Sequence, residues 1–145
     1  MVIPNASCPT FPTVCRRTKA VGDMKHRVVV IDDEADLRHL LVLTLGFDDR
    51  LVVCGAAAAA EEVVELVERE QPDLVVMDYW LGGPLTGLDV AARLRAVASP
   101  PVVVLFTAAD DVVLNDHPGA VHAIVAKEDL ADLPELVVGL VAAAG

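Results

Sequence analysis

In the segment VVVIDDE at residues 28–34, a short apolar run ends in a pair of aspartates. The same pattern recurs in LVVMDYW at residues 74–80, where an aspartate ends the run, and in HAIVAKE at residues 122–128, where a lysine does. Apolar runs without polar alternation are typical of strands buried on both faces of a parallel sheet. The carboxyl ends of such strands meet at one edge of the sheet, where these folds place their ligands. The sequence therefore predicts a pocket with three carboxylates and one ammonium, those of Asp32, Asp33, Asp78 and Lys127.

Five strand-like runs alternate with helical patterns along the chain. The runs predict strands at 28–31, 51–55, 74–78, 102–107 and 121–127. The helical patterns, whose apolar residues recur every three or four positions, predict helices at 35–45, 60–70, 87–97 and 130–144, and a weaker one at 109–115. Five strands that alternate with five helices predict an α/β fold with a doubly wound sheet.

The composition favours one small domain and argues against several classes of partner. The chain has 145 residues and a net charge of −11, which is unfavourable for binding nucleic-acid phosphates or an anionic membrane surface. No apolar run approaches the ~18–20 residues that span a bilayer, and no signal peptide is recognisable. Residues 1–24 contain three prolines and no periodicity, so we expect a disordered extension before a domain at residues 25–145. Free thiols in a cytoplasmic protein are expected at Cys8, Cys15 and Cys54.

These motifs together resemble a known family. From about Lys25 to the C-terminus, the chain is similar to a bacterial two-component response-regulator receiver domain, such as the chemotaxis response regulator. The resemblance rests on residues at the ends of the first, third, fourth and fifth strands, which are Asp32-Asp33, Asp78, Thr107-Ala108 and Lys127. It implies a flavodoxin-like fold with the strand order 2-1-3-4-5, in which the first and third strands are neighbours.

The resemblance also implies a magnesium site. In it, Asp33, Asp78 and the backbone carbonyl of Trp80 would bind Mg²⁺ directly, and Asp32 would act through a water molecule. Clustered carboxylates suit this ion, because Mg²⁺ prefers oxygen ligands and keeps several waters.

The acceptor of a phosphoryl group would be Asp78, which would carry it as an acyl phosphate. Mg²⁺ and Lys127 would neutralise the charge that develops during transfer. Thr107 would bind a phosphoryl oxygen through its hydroxyl and move its loop, which makes it the predicted switch residue.

Some positions depart from the family pattern. The loop after Asp78 reaches Gly87 after nine residues, one more than is usual. Ile124 stands where many members carry an aromatic switch residue, which leaves open a different signal path. Glu128 follows the lysine in place of the common proline. Trp80, the only tryptophan, is either an exposed loop aromatic or, by our hypothesis, a bulky group that obstructs the water that hydrolyses the acyl phosphate.

The predicted function is that of a single-domain response regulator. A sensor histidine kinase or phosphotransfer protein would donate the phosphoryl group from a phosphohistidine to Asp78, which would lose it by slow self-catalysed hydrolysis. No output module follows the last predicted helix, so we expect output by contact with a downstream protein, through the face of the fourth helix, fifth strand and fifth helix. A homodimer through this face is a further option. We expect no other enzyme activity, no direct nucleic-acid binding and no membrane association.

Two other function classes stay open. One is a receiver-like interaction module that is not phosphorylated, which the intact set of acids, hydroxyl and lysine disfavours. The other is a phosphatase of the haloacid-dehalogenase type, which also uses strand-end aspartates and Mg²⁺. Such a phosphatase would need a nucleophile two residues before a second aspartate on its first strand, whereas VIDDEAD at residues 30–36 offers an adjacent pair.

Overall fold

The computed structural model describes residues 25–108 and 121–144. The extension predicted at residues 1–24 and the weaker helix predicted at 109–115 lie outside the described residues.

The five predicted strands are present. They are β1 His26–Ile31, β2 Leu51–Ala57, β3 Leu74–Met77, β4 Val102–Thr107 and β5 Ala123–Ala126. β1 begins two residues before the predicted start, because His26 already pairs with Leu51 of β2. β5 is shorter than predicted at both ends, and Lys127 is the first residue after it.

The described part of the chain contains four of the five predicted α-helices. They are α1 Ala35–Gly46, α2 Val63–Glu70, α3 Gly87–Leu94 and α4 Leu133–Ala144. The chain enters α2 and α4 through short 3-10 helices, Ala60–Glu62 and Lys127–Asp132. The apolar periodicity therefore placed the start of both α-helices three residues too early, because it does not distinguish a 3-10 turn from the first α-helical turn.

The sheet has the predicted order, β2-β1-β3-β4-β5, and every pair of neighbours is parallel. The register aligns the carboxyl ends of the strands at one edge. Ile31 pairs with Met77, so the aspartates that follow these two residues emerge side by side. Thr107 pairs with Ala126, the residue before Lys127. The sheet therefore brings the predicted pocket residues to one edge across long separations in sequence.

Helices cover both faces of the sheet and divide the core into two layers. In β1, Val29 and Ile31 pack on the face that also buries α2 and α3 residues, whereas Val28 and Val30 pack on the face that buries α1 and α4 residues. This alternation is why β1 reads as a continuous apolar run. Within residues 25–108 and 121–144, no helix has the length and apolar character required to cross a membrane.

Candidate functional site

Two adjacent aspartates at the end of β1 form one side of the site. The backbone N–H of Asp32 donates a hydrogen bond of 3.1 Å to the carbonyl of Ala57, which extends the pairing of β1 with β2 by one residue. The side chain of Asp32 is fully buried, and its Oδ1 accepts a hydrogen bond of 2.9 Å from the backbone N–H of Glu34. Asp33, the next residue, is exposed at the rim.

The third aspartate follows β3 directly. The backbone N–H of Asp78 donates to the carbonyl of Ile31 at 3.1 Å, so Asp78 lies beside Asp32 at the edge of the sheet. One carboxylate oxygen from each of Asp32, Asp33 and Asp78 lies within 4.8 Å of the others. Parallel pairing thus brings together the three acids predicted to meet.

Lys127 reaches this cluster from the end of β5. Its Nζ donates a hydrogen bond of 2.9 Å to Oδ2 of Asp78 and forms an ion pair with it. Burial alone would lower the pKa of Lys127, but the hydrogen bond and charge of Asp78, together with the charges of Asp32 and Glu34, outweigh burial and raise this pKa above its usual value. Lys127 is therefore a firmly held cation against the carboxylate of Asp78.

The electrostatics of Asp32 show that the acids crowd one another. Burial raises the pKa of Asp32 above its usual value, and the nearby charge of Asp78 raises it further. The hydrogen bond from Glu34 and the charge of Lys127 act in the opposite direction without cancelling the shift. The charged form of Asp32 is thus penalised in the absence of a cation.

A divalent cation with a preference for oxygen ligands fits this cluster. Among the described residues, Oδ2 of Asp32 and Oδ1 of Asp78 are buried and have no hydrogen-bond partner. Buried carboxylate oxygens without a partner are costly, and a bound cation supplies what they lack. Three carboxylates on one rim are the ligand type that Mg²⁺ uses in proteins.

The other predicted site residues lie near this edge but differ in exposure. Thr107, the last residue of β4, is buried. Trp80 lies two residues after Asp78 and is 59% exposed, and its ring is in edge-to-face contact with the ring of Tyr79 at a centroid distance of 4.6 Å. The exposed-aromatic interpretation of the Trp80 side chain therefore agrees with its position.

The loop after Asp78 is tied down at both ends in spite of its extra residue. Trp80 and Thr86 form an isolated antiparallel bridge, and the backbone N–H of Gly87 donates to the carbonyl of Tyr79 at 2.6 Å. Thr86 caps α3 in a capping box with Asp89. The insertion is thus absorbed in a closed turn that leaves Asp78 in place.

Two residues beside the acids were not singled out from the sequence. Gly82 has a φ of +78°, and a Cβ at this position would lie 2.9 Å from Oδ2 of Asp33. Arg38 donates from Nη1 to the backbone carbonyl of Asp32 at 2.7 Å. Only the spacing could have indicated the contact of Arg38. This residue lies four positions after Glu34, and therefore one helical turn beyond the loop that carries Asp32 and Asp33.

Comparison with protein families gives a match over most of the chain. The model of the response regulator receiver domain family matches residues 28–137. This range includes the four strand ends that form the site.

Curated relatives include a DNA-binding response regulator, a biosynthesis regulatory protein and a protein-modifying enzyme. The chain is 37% identical over 102 residues to the DNA-binding response regulator MtrA of Mycobacterium tuberculosis, a match that covers 67% of this chain and 42% of that protein. It is 36% identical over 110 residues to the positive alginate biosynthesis regulatory protein of Pseudomonas aeruginosa, with 72% and 44% covered. It is 33% identical over 99 residues to protein-glutamate methylesterase/protein-glutamine glutaminase 2 of Paramagnetospirillum magneticum, with 68% and 28% covered. The chain spans less than half of the length of these relatives.

Solved structures agree with the fold. The signal receiver domain of NarL from Mycobacterium tuberculosis superposes with a TM-score of 0.74 at 27% identity, over 81% of this chain and 96% of that one. The response regulator domain of Thermotoga maritima CheB superposes with a TM-score of 0.70 at 19% identity, over 83% and 96%. The second likeness supports the fold alone.

Proposed function

The chain belongs to the response regulator receiver domain family, and we propose on this basis that its domain, residues 25–145, accepts a phosphoryl group on Asp78. The donor is the phosphohistidine of a sensor histidine kinase or of a phosphotransfer protein. The observation that carries the proposal is the contact of 2.9 Å between Nζ of Lys127 and Oδ2 of Asp78, beside two further aspartates. A nucleophilic carboxylate flanked by a cation on one side and by a cation-binding rim on the other suits phosphoryl transfer.

The transfer exchanges one phosphorus bond for another. A carboxylate oxygen of Asp78 attacks the phosphorus in line as the P–N bond to the donor imidazole breaks, and the imidazole nitrogen keeps the bonding electron pair. The product is an acyl phosphate on Asp78. Lys127 is placed to neutralise charge on the phosphoryl oxygens. Hydrolysis returns the domain to the unphosphorylated state, because water attacks the same phosphorus and releases inorganic phosphate and the free carboxylate of Asp78.

The acids would hold Mg²⁺ for this step. Asp33, Asp78 and the backbone carbonyl of Trp80 are the proposed direct ligands, and Asp32 acts through water. When bound, the ion supplies neutralisation of the charge on the reacting group. The two buried carboxylate oxygens without a partner, on Asp32 and Asp78, support this assignment.

Thr107 is proposed to report the phosphorylated state. Its position at the end of β4, next to the strand that delivers Lys127, supports a hydrogen bond from its hydroxyl to a phosphoryl oxygen. Phosphorylation adds acceptor oxygens and charge, which can bias an element that has two arrangements. Ile124, exposed on the edge strand β5, stands where many members carry an aromatic switch residue, which leaves open a different path for the signal.

Output is proposed to occur through contact with a downstream protein. The net charge of −11 on the chain supports a protein target over nucleic acid. MtrA is named as a DNA-binding regulator, and the chain matches 42% of it, so an output activity in the remaining part of that relative is not transferred to this domain.

The decisive experiment is a measurement of intact mass after incubation with acetyl phosphate and Mg²⁺. Wild type should gain one phosphoryl group and Asp78→Asn should gain none. Asp36→Asn is the matched control, because it removes an exposed carboxylate from the first turn of α1 and should leave the adduct intact.

Other outcomes point to the alternative functions. An adduct that persists in Asp78→Asn would assign the acceptor elsewhere. No adduct in wild type, with acetyl phosphate or with a phosphorylated kinase, would favour an interaction module that is not phosphorylated. Continuous release of phosphate from a simple phosphomonoester would favour a phosphatase.

A further inference from the structure

Arg38 holds the peptide group that joins two of the acids. It lies in the first turn of α1, half-buried, and its backbone N–H donates to the carbonyl of Glu34 at 2.9 Å. Its guanidinium turns back over the loop and donates from Nη1 to the carbonyl oxygen of Asp32 at 2.7 Å. This carbonyl carbon is bonded to the nitrogen of Asp33, so the contact orients the peptide plane between the two aspartates.

This contact completes the fixation of Asp32. The backbone N–H of Asp32 donates to Ala57, Oδ1 accepts from the N–H of Glu34, and the carbonyl accepts from Arg38. Only Oδ2 is left without a partner among the described residues, and it is buried. Every other polar atom of Asp32 is thus used to hold this oxygen in place.

We infer that Arg38 is a positioning residue for the divalent cation, an inference that rests on the magnesium site of the proposed function. The adjacent carboxylates of Asp32 and Asp33 repel each other. They would move apart unless a contact fixed the backbone between them. A charge-assisted hydrogen bond to the Asp32 carbonyl opposes this relaxation. Loss of a group that orients metal ligands from behind typically weakens metal affinity about 10–100-fold.

Charge and positioning predict opposite effects when Arg38 is removed. Arg38 is a cation close to a cation site, so the loss of its charge alone would strengthen the attraction of the acids for Mg²⁺. The loss of its positioning contact would weaken Mg²⁺ binding. A role limited to the first turn of α1 would lower stability and leave the affinity unchanged. The sign of the change in affinity therefore separates the three roles.

The experiment is a titration of the full chain with Mg²⁺, followed by the fluorescence of Trp80, the only tryptophan, and by calorimetry. Arg38→Met, which keeps the apolar stem but has no donor, should bind Mg²⁺ about 10–100-fold more weakly than wild type. Arg93→Met is the matched control, because it removes the same charge from an exposed position in the last turn of α3 and should bind as wild type does. Thermal unfolding without Mg²⁺ measures the structural contribution separately.

Affinity in Arg38→Met equal to or tighter than in wild type would overturn the inference. If Arg38→Met does not fold, Arg38→Leu decides, because it also removes the donor while keeping an apolar side chain, and it should bind Mg²⁺ about 10–100-fold more weakly. Wild-type affinity in Arg38→Leu would then reject the positioning role. If wild type itself shows no saturable Mg²⁺ binding, the magnesium site of the proposed function fails together with this inference, whereas equal binding in wild type and Arg38→Met removes the inference alone.

Discussion

Among single residues, Lys127 neutralises part of the negative charge of the three aspartates at the edge of the sheet. Its Nζ lies 2.9 Å from Oδ2 of Asp78, whose other oxygen is buried and has no partner among the described residues. Replacement of Lys127 by Met should lower the stability of the metal-free protein by about 1–3 kcal/mol, because a buried carboxylate loses its hydrogen bond. It should also slow phosphorylation about 10²–10³-fold through loss of charge neutralisation. Urea denaturation and the rate of mass gain with acetyl phosphate measure the two effects.

Lys25→Met serves as the control for this change, because Lys25 is exposed at the start of the described chain. Phosphorylation of Lys127→Met at the rate of Lys25→Met would show that the contact with Asp78 does not contribute to transfer.

Trp80 offers a second test at this scale. Trp80 lies two residues after Asp78 and is 59% exposed, so Trp80→Asn should change stability by less than about 0.5 kcal/mol. If the ring obstructs the hydrolytic water, Trp80→Asn should lose phosphate several-fold faster than wild type, as timed by intact mass after removal of the donor. Tyr79→Phe, which keeps a ring at the edge-to-face contact, is the control. An unchanged or slower loss of phosphate would reject the hypothesis.

At the scale of elements, the sequence predicted the strands and the meeting of the acids because both depend on simple patterns. Continuous apolar runs identified all five strands, and the geometry of parallel sheets placed their ends at one edge. Helix starts were less accurate, because the apolar stripe runs unbroken from the 3-10 turns into α2 and α4. Arg38 escaped prediction for a different reason, since a long side chain can turn back onto a backbone carbonyl without leaving a signature in the pattern.

Arg27 shows the limit of pattern reading most clearly. A charged residue at the start of a strand suggests exposure, yet Arg27 is 2% exposed and donates from Nη2 to the carbonyl of Glu70 at the end of α2. Such a cation interacts favourably with the carbonyl end of a helix. Its Nε and Nη1 have no partner among the described residues, which offsets part of that gain.

Two substitutions of Arg27 should therefore differ strongly. Arg27→Met fills the space and removes the two nitrogens that have no partner among the described residues, so we expect stability within about 1 kcal/mol of wild type. Arg27→Ala leaves a cavity under α2 and should lose about 2–5 kcal/mol. Denaturant unfolding of both variants measures the difference. Equal losses in the two would show that the charge of the guanidinium, rather than its bulk, stabilises the junction of β1 with α2.

The junction of β3 with α3 depends on the absence of a side chain. A Cβ at Gly87 would lie 2.3 Å from the carbonyl oxygen of Asp78 and 3.1 Å from Cα of Tyr79. Gly87→Ala must therefore displace the backbone of the phosphoryl acceptor, at a cost of about 1–3 kcal/mol and with loss of phosphorylation. Gly139→Ala is the control, because a Cβ there meets nothing within 4 Å and should stabilise α4 by about 0.5–1 kcal/mol. Normal phosphorylation of a folded Gly87→Ala would contradict this account of the junction.

In the molecule as a whole, the fold gathers carboxylates at one edge of the sheet. This arrangement favours the proposed binding of Mg²⁺, but the repulsion between the carboxylates lowers the stability of the metal-free protein. The chain has a net charge of −11, and the sheet brings three of its carboxylates within 4.8 Å of one another at one edge. The packed layers on both faces of the sheet hold this edge together against the repulsion. A ligand that binds only the folded state raises the free energy of unfolding, and at concentrations well above the dissociation constant this increase grows with the logarithm of the ligand concentration. Mg²⁺ should therefore raise the melting temperature of the whole domain.

Asp32 makes this opposition of stability and binding measurable. Its pKa in the folded protein is raised above 3.8, chiefly by burial, so folded protein binds a proton more tightly than unfolded protein does. The contribution of Asp32 to the stability of the metal-free protein is therefore most favourable below pH 3.8. It falls as the pH rises through the pKa of Asp32 in the folded state. Above that pKa, the cost of burying the charged carboxylate no longer changes with pH. Asp32→Asn removes the penalty, so at neutral pH it should stabilise the metal-free protein, while it should weaken Mg²⁺ binding about 10–100-fold. The gain in stability should vanish in acid, where wild-type Asp32 is protonated in both the folded and the unfolded state.

The test is to measure unfolding across pH, with and without Mg²⁺, for wild type, Asp32→Asn and the exposed control Asp36→Asn. A metal-free Asp32→Asn that is less stable than wild type at neutral pH would show that the hydrogen bond from Glu34 and the charge of Lys127 favour the charged carboxylate by more than burial penalises it.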